Sequence, residues 1–308
     1  MTKAAGVALS VLAGAGAALQ ARINGELGRR LDDGIAAATI SFGVGLILLL
    51  FAIPFIRKEL RSVKQALRDK TLLWWQCLGG AFGAFLVATQ GLTVATLGVA
   101  VFTVAVVAGQ SASSLAVDRM GLVPGGARAI TRTRAIGALL CVIAVVIAVS
   151  DRLGDAKALG LAVLPALAGI GIAWQQGVNG LVREAAGSVL PPTLINFTVG
   201  TTALLIVLAI EVAVRGAPNP LPREPWLYTG GLLGIVFIAV AAAVVSWVGV
   251  LLMGLGMIAG QILGALLIDI IAPAAERPDL RTVAGAALAL VAVALAARPP
   301  RSAPTARA

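Results

Sequence analysis

Leu12-Ala13-Gly14-Ala15-Gly16-Ala17-Ala18-Leu19-Gln20, followed by Asn24-Gly25, recurs 155 positions later. The second copy reads Leu167-Ala168-Gly169-Ile170-Gly171-Ile172-Ala173-Trp174-Gln175, followed by Asn179-Gly180. The register continues through Phe42 with Phe197, Val44 with Val199 and Gly45 with Gly200. After a loop four residues shorter in the second copy, the offset becomes 151. Trp75 then pairs with Trp226, Gly79-Gly80 with Gly230-Gly231, Gly83 with Gly234, Gly109-Gln110 with Gly260-Gln261, and Asp118 with Asp269. One such match in a Gly/Ala-rich chain carries little weight. A nearly ungapped series that includes Gln, Asn and Asp is different, and an internal repeat decides the fold before any local reading does.

The chain has 308 residues, of which 59% are hydrophobic and 12% charged, with mean hydropathy +0.98. Soluble domains carry about 25% charged residues, so this composition is that of an integral membrane protein. Apolar runs read as ten helices, near 4–24, 35–56, 72–91, 93–118, 134–150, 158–178, 191–214, 226–246, 248–270 and 281–297. Two junctions are very tight, at Gly91-Leu92-Thr93 and around Trp247-Val248-Gly249. Ten spans of roughly 20 residues each leave no room for a soluble domain. The Val- and Thr-rich stretch 92–118 is long enough for a helix, which the bilayer favours because it closes its own hydrogen bonds.

The expected fold is therefore all-α integral membrane, with residues 1–152 and 153–297 as two five-helix repeats and 298–308 as a disordered cytoplasmic tail. An odd number of helices brings the second repeat in from the other side, the inverted arrangement common among transporters. Met1–Leu19 has the look of a signal peptide, but its counterpart at 159–177 is internal, so the first helix is kept. One side carries 15 Lys and Arg residues, six of them at 57–70, and the other carries 9. The positive-inside rule then places both termini in the cytoplasm.

The net charge of +10 lies in loops between apolar runs, so nucleic acid is not an expected partner. The expected partners are the lipid bilayer and a small-molecule substrate, with a homodimer left open. No cofactor is expected. The chain has no histidine, and Cys77 and Cys141 lie in or beside apolar runs. That removes the usual proton relay, a disulfide framework and any Ser/His/Asp set, so an enzyme is not expected.

Gln20 and Asn24 share one helix face, as do Gln175 and Asn179. Amides in hydrocarbon are costly unless paired, so these faces point to the bundle interior. They serve either as substrate contacts or as interhelical hydrogen bonds. Gln110, Ser114 and Asp118 form another stripe, whose ends recur as Gln261 and Asp269. The substrate-binding candidates are Gln20, Asn24, Gln110, Ser114, Trp174, Gln175, Asn179 and Gln261. Trp174 qualifies as a neighbour of Gln175, although a lipid-facing or core role stands beside that. Asp118 adjoins Arg119 near a helix end, which allows an interfacial ion pair. Glu211 with Arg215 four residues on reads as a helix-surface pair, and Glu26 as a loop salt bridge. Gly14, Gly16, Gly79, Gly80, Gly83 and their mates read as close-packing positions. Trp74, Trp75 and Trp226 lie where an interfacial belt is expected.

Together, Gly14-x-Gly16-x-x-x-Gln20-x-x-x-Asn24-Gly25, Ser41-Phe42-x-x-Gly45, Leu78-Gly79-Gly80-x-x-Gly83 and Gly109-Gln110 with Asp118 resemble the YdcZ-like branch of the drug/metabolite transporter superfamily. The resemblance covers about residues 4–297 and has the look of two five-helix units fused. It implies a ten-helix inverted repeat whose helices 1, 3, 4, 6, 8 and 9 surround a central cavity. Related small multidrug resistance proteins use a deep glutamate in their first helix, and here only Glu26 lies near that helix. The expected function is a secondary transporter of a metabolite or drug-like molecule across the cytoplasmic membrane, working as an exporter. The competing reading is a non-transporting scaffold or accessory subunit.

Overall fold

A computed structural model describes residues 3–122, 124–127, 130–148, 150, 156–273 and 277–296. The expected tail at 298–308 lies outside the described residues. The elements are α1 (Lys3–Leu31), α2 (Gly34–Leu50), α3 (Arg57–Arg68), α4 (Gly80–Leu97), α5 (Val99–Arg119), α6 (Arg132–Ala148), α7 (Ala156–Ala186), α8 (Leu190–Arg215), α9 (Gly230–Ile271) and α10 (Leu280–Ala296). There is no strand among the described residues. Short 3₁₀ turns at Trp74–Gly79 and Pro225–Tyr228 lead into α4 and α9 at matching repeat positions.

Six runs among the described residues are long and apolar enough to cross a membrane: Ala4–Leu31, Trp74–Leu97, Val99–Arg119, Gly160–Ala186, Leu190–Arg215 and Met253–Ile271. Gly34–Leu50, Ala135–Ala148 and Leu280–Leu295 are shorter apolar helices. Large apolar side chains lie exposed on the outside, including Ile47 and Leu48 of α2, Leu139 and Val146 of α6, and Leu205 and Ile210 of α8. The polar side chains Asn24, Gln90 and Asn196 are buried inside. That polarity is the reverse of a water-soluble bundle.

Several boundaries differ from those the sequence predicts, among them the ends of α2 and α7, and three of the differences have a visible cause. First, α1 runs on past Asn24-Gly25 to Leu31, because Glu26 sits at ion-pair spacing from Arg22, Arg29 and Arg30 on the same helix. Second, the turn expected at Gly91-Leu92-Thr93 falls instead at Gly98, whose φ of +80° suits glycine. Gly91 stays helical and packs against the backbone of Gly34. Third, the expected 56–71 loop contains the helix α3. Leu60, Val63 and Leu67 recur on one side of it, and Val63 packs with Val182 and Ala186 of α7.

Residues 230–271 are assigned as one helical run, yet they cannot form a straight rod. Gly230 abuts Asn24 and Gly234 abuts Gln20, counting down α1. Gly256 abuts Ser10, Gly260 Val11 and Gly264 Ala15, counting up α1. A straight helix would hold residues 230 and 264 about 51 Å apart. Their contacts on α1, Asn24 and Ala18, are about 9 Å apart along the axis. The run therefore folds back on itself between Gly234 and Gly256, an interval that contains the expected Trp247-Val248-Gly249 junction.

The repeats are interlocked. The most extensive helix contacts are α1 with α9 and α5 with α7, so each repeat's first helix packs against the other repeat. Matched glycines make this possible. A side chain on Gly14 would collide with the Met257 carbonyl, and one on Gly169 with the Val106 carbonyl. Gly260 lies on Val11 and Gly109 on Ala166; Gly45 takes the ring of Phe197 and Gly200 the ring of Phe42. Each pair maps onto the other through the same offsets of 155 and 151, which is the signature of a pseudo-two-fold axis.

Two ends of the bundle can be told apart. At one, α3 packs on the end of α7, beside Arg183. At the other, Arg30 forms a 2.6 Å ion pair with Glu224, the Asn219 amide donates to the Leu31 carbonyl and Arg22 donates to the Ala272 carbonyl. Hydrogen bonding from Arg30 holds the Glu224 carboxyl below its usual range.

Candidate functional site

A cavity of about 240 Å³ lies between the repeats. Five of the sequence-predicted residues line it: Gln20 from α1, Gln110 from α5, Gln175 and Asn179 from α7, and Gln261 from the second limb of α9. Helix spacing explains the convergence. Gln175 and Asn179 are four residues apart and so share a face. Gly83 and Gly234 leave space for the carboxamides of Gln175 and Gln20. Among the described residues, the side chains of Gln20, Gln175 and Gln261 make no hydrogen bond to protein. Gln110 donates from Nε2 to Gln176 Oε1 at 2.9 Å.

Three predicted residues are placed elsewhere. Asn24 is fully buried and donates to Gln90 Oε1 of α4 at 2.6 Å. It does not line the cavity; its partner Gln90 does. Ser114 turns back on its own helix to the Ser111 carbonyl at 2.8 Å. Trp174 packs on Trp75, ring centroids 5.7 Å apart, joining α7 to the turn before α4.

Gln90, Gln176, Thr103 and Asn196 also line the cavity, and sequence reasoning missed them. Unlike the glutamines of the repeat, these residues do not recur: Ala241, Ala21, Gly254 and Ser41 stand at the matching positions. Phe42, Phe102, Phe197 and Phe237 supply the apolar wall. Phe42 and Phe197 meet at 4.9 Å between ring centroids. The two occupy matching positions of the repeat. The cavity also takes residues from α2 and α8, the second and seventh of the ten helices expected from the sequence, which the resemblance does not include. Among the described residues no Asp, Glu, Lys or Arg lines it.

The nearest deep carboxylate serves another purpose. Asp269 is buried, and its Oδ2 accepts the backbone N–H of Ala100 at 2.7 Å, beside the Gly98 turn. It thus caps the start of α5 from a different helix, where the helix dipole favours a negative charge. Its mate Asp118 is half-buried near the end of α5. Glu26, expected in a loop, lies in the last turns of α1 with its three arginines. Glu211 pairs with Arg215 at 2.9 Å as its spacing predicts. Among the described residues no group of His, Cys, Asp or Glu has the makings of a metal site.

The model of a protein family described as "Putative inner membrane exporter, YdcZ" matches residues 5–147 and 160–295, one segment in each repeat. A search of curated proteins returns no significant match.

Proposed function

We propose, because this chain belongs to the YdcZ family of the drug/metabolite transporters, that it exports a small molecule across the inner membrane by alternating access. The observation that carries the proposal is the shared, charge-free cavity to which the two repeats contribute matched glutamines. Ten spans complete the picture: the six long runs, the three short apolar helices and the first limb of α9. The two halves, 1–152 and 153–297, take opposite orientations in the bilayer. Rocking of one interlocked half against the other exposes the cavity first to one side and then to the other, as inverted repeats allow.

The closed end is held by the buried Asn24–Gln90 hydrogen bond. Toward the other end Gln176 is exposed and Asn179 half-buried, and the chain has Ala241 where Gln90 has its mate. Both termini, α3 and Arg183 face the cytoplasm, so this conformation opens inward.

The test is release of a loaded metabolite mixture from proteoliposomes, read by mass spectrometry, for the parent, Gln110→Ala and Gln261→Ala. Selective release by the parent, reduced at least tenfold in each variant, supports the reading. Equal release from all three would remove the cavity from the mechanism. Absence of any selective release would favour the scaffold.

A further inference from the structure

We infer that the molecule held in this cavity is an uncharged, planar ring compound with a hydrogen-bond donor and acceptor side by side on its edge, of the lactam or nucleobase kind. The inference rests on the transporter reading above but is separately testable. Three features of the cavity converge on it.

The first is the absence of charge. Among the described residues no ionisable side chain lines the cavity, and an ion or zwitterion taken from water into such a place would lose hydration without gaining a counter-charge. The second is the chemistry of the polar groups. Gln20, Gln110, Gln175 and Gln261 each present a carboxamide, an acceptor oxygen and an NH₂ donor in one plane. Three of the four have no hydrogen-bonding partner in the protein among the described residues. A planar amide is matched in two bonds by an edge that places a donor next to an acceptor, the geometry by which Asn and Gln read adenine.

The third is the wall between the amides. Phe42 and Phe197, tilted 34° to one another, together with Phe102 and Phe237, offer flat apolar surface. Stacking on aromatic side chains suits any flat heteroaromatic ring. A sugar would satisfy the amides too, but some of its hydroxyls would face phenyl rings and lose hydrogen bonds. The cavity of about 240 Å³ has room for one or two fused rings.

The experiment is calorimetric titration of the purified protein with uracil and adenine, against glucose, glutamate, lysine and tetraphenylphosphonium. Saturable binding of at least one base, weakened tenfold or more by Gln110→Ala and by Gln261→Ala, is expected. Gly16→Ala, a substitution into open space, should bind as the parent does and shows that purification leaves the fold intact. Failure of both bases to bind overturns the inference, whatever else binds. Flux separates it from the parent reading. A base that binds without crossing proteoliposomes keeps the ligand class and removes the transporter. Transport of a charged solute with no binding of either base does the reverse.

Discussion

At the scale of the residue, glycine and amide side chains divide the work. Gly14 and Gly169 touch backbone carbonyls across the repeat boundary, so Gly14→Val and Gly169→Val force helices apart. Overpacking of this kind costs about 1–3 kcal/mol. Both variants should lower the unfolding temperature in detergent by similar amounts, while Gly16→Ala should leave it unchanged or raise it. Unequal losses would count against the pseudo-symmetric packing. Asn24 and Gln90 make a second case. Replacing Gln90 with Leu leaves a fully buried amide without its acceptor, at a cost of about 1–3 kcal/mol. Adding Asn24→Leu should recover most of that loss in a double-mutant cycle. The sequence could nominate Asn24 by its recurrence. It could not show that Gln90 removes Asn24 from the cavity, because that bond joins residues 66 positions apart.

At the scale of the element, periodicity located the apolar runs well and their ends less well. The tight α4–α5 turn was expected at Gly91 and lies at Gly98. Both are glycines, and only the tertiary packing of Gly91 on Gly34 tells them apart. The 57–68 helix was hidden because its charge content reads as a loop, while its short apolar face needs α7 to bury it. The start of α5 is held from outside by Asp269. Loss of a capping side chain typically costs about 1 kcal/mol. Asp269→Ala should therefore destabilise the protein by about that much in a thermal melt. Asp269→Asn, which retains an acceptor, should lose less. An equal loss in both would mean that charge rather than the hydrogen bond holds the turn.

At the scale of the whole molecule, the all-helical character and the two-repeat organisation were legible in the sequence, and the structure added the packing of each repeat's first helix on the other repeat. Orientation is open to a direct measurement. With Cys77 and Cys141 replaced, single cysteines at Lys64 and Asn219 should react with impermeant maleimide from opposite sides. Lys64 should be labelled only after the inside is exposed; labelling of both from one side would refute the two-ended assignment. The interlock also has a consequence for how the protein is made. Gly14 of α1 finds its seat on Met257, a partner about 240 residues downstream. At about 5–20 residues per second of synthesis, α1 spends on the order of ten to fifty seconds in the bilayer without its groove filled. Its small-residue face, shaped to admit a neighbouring backbone, is then open to any passing helix. The first half on its own has no second limb of α9 to occupy that face, so the last third of the chain acts as an intramolecular guardian of the first helix.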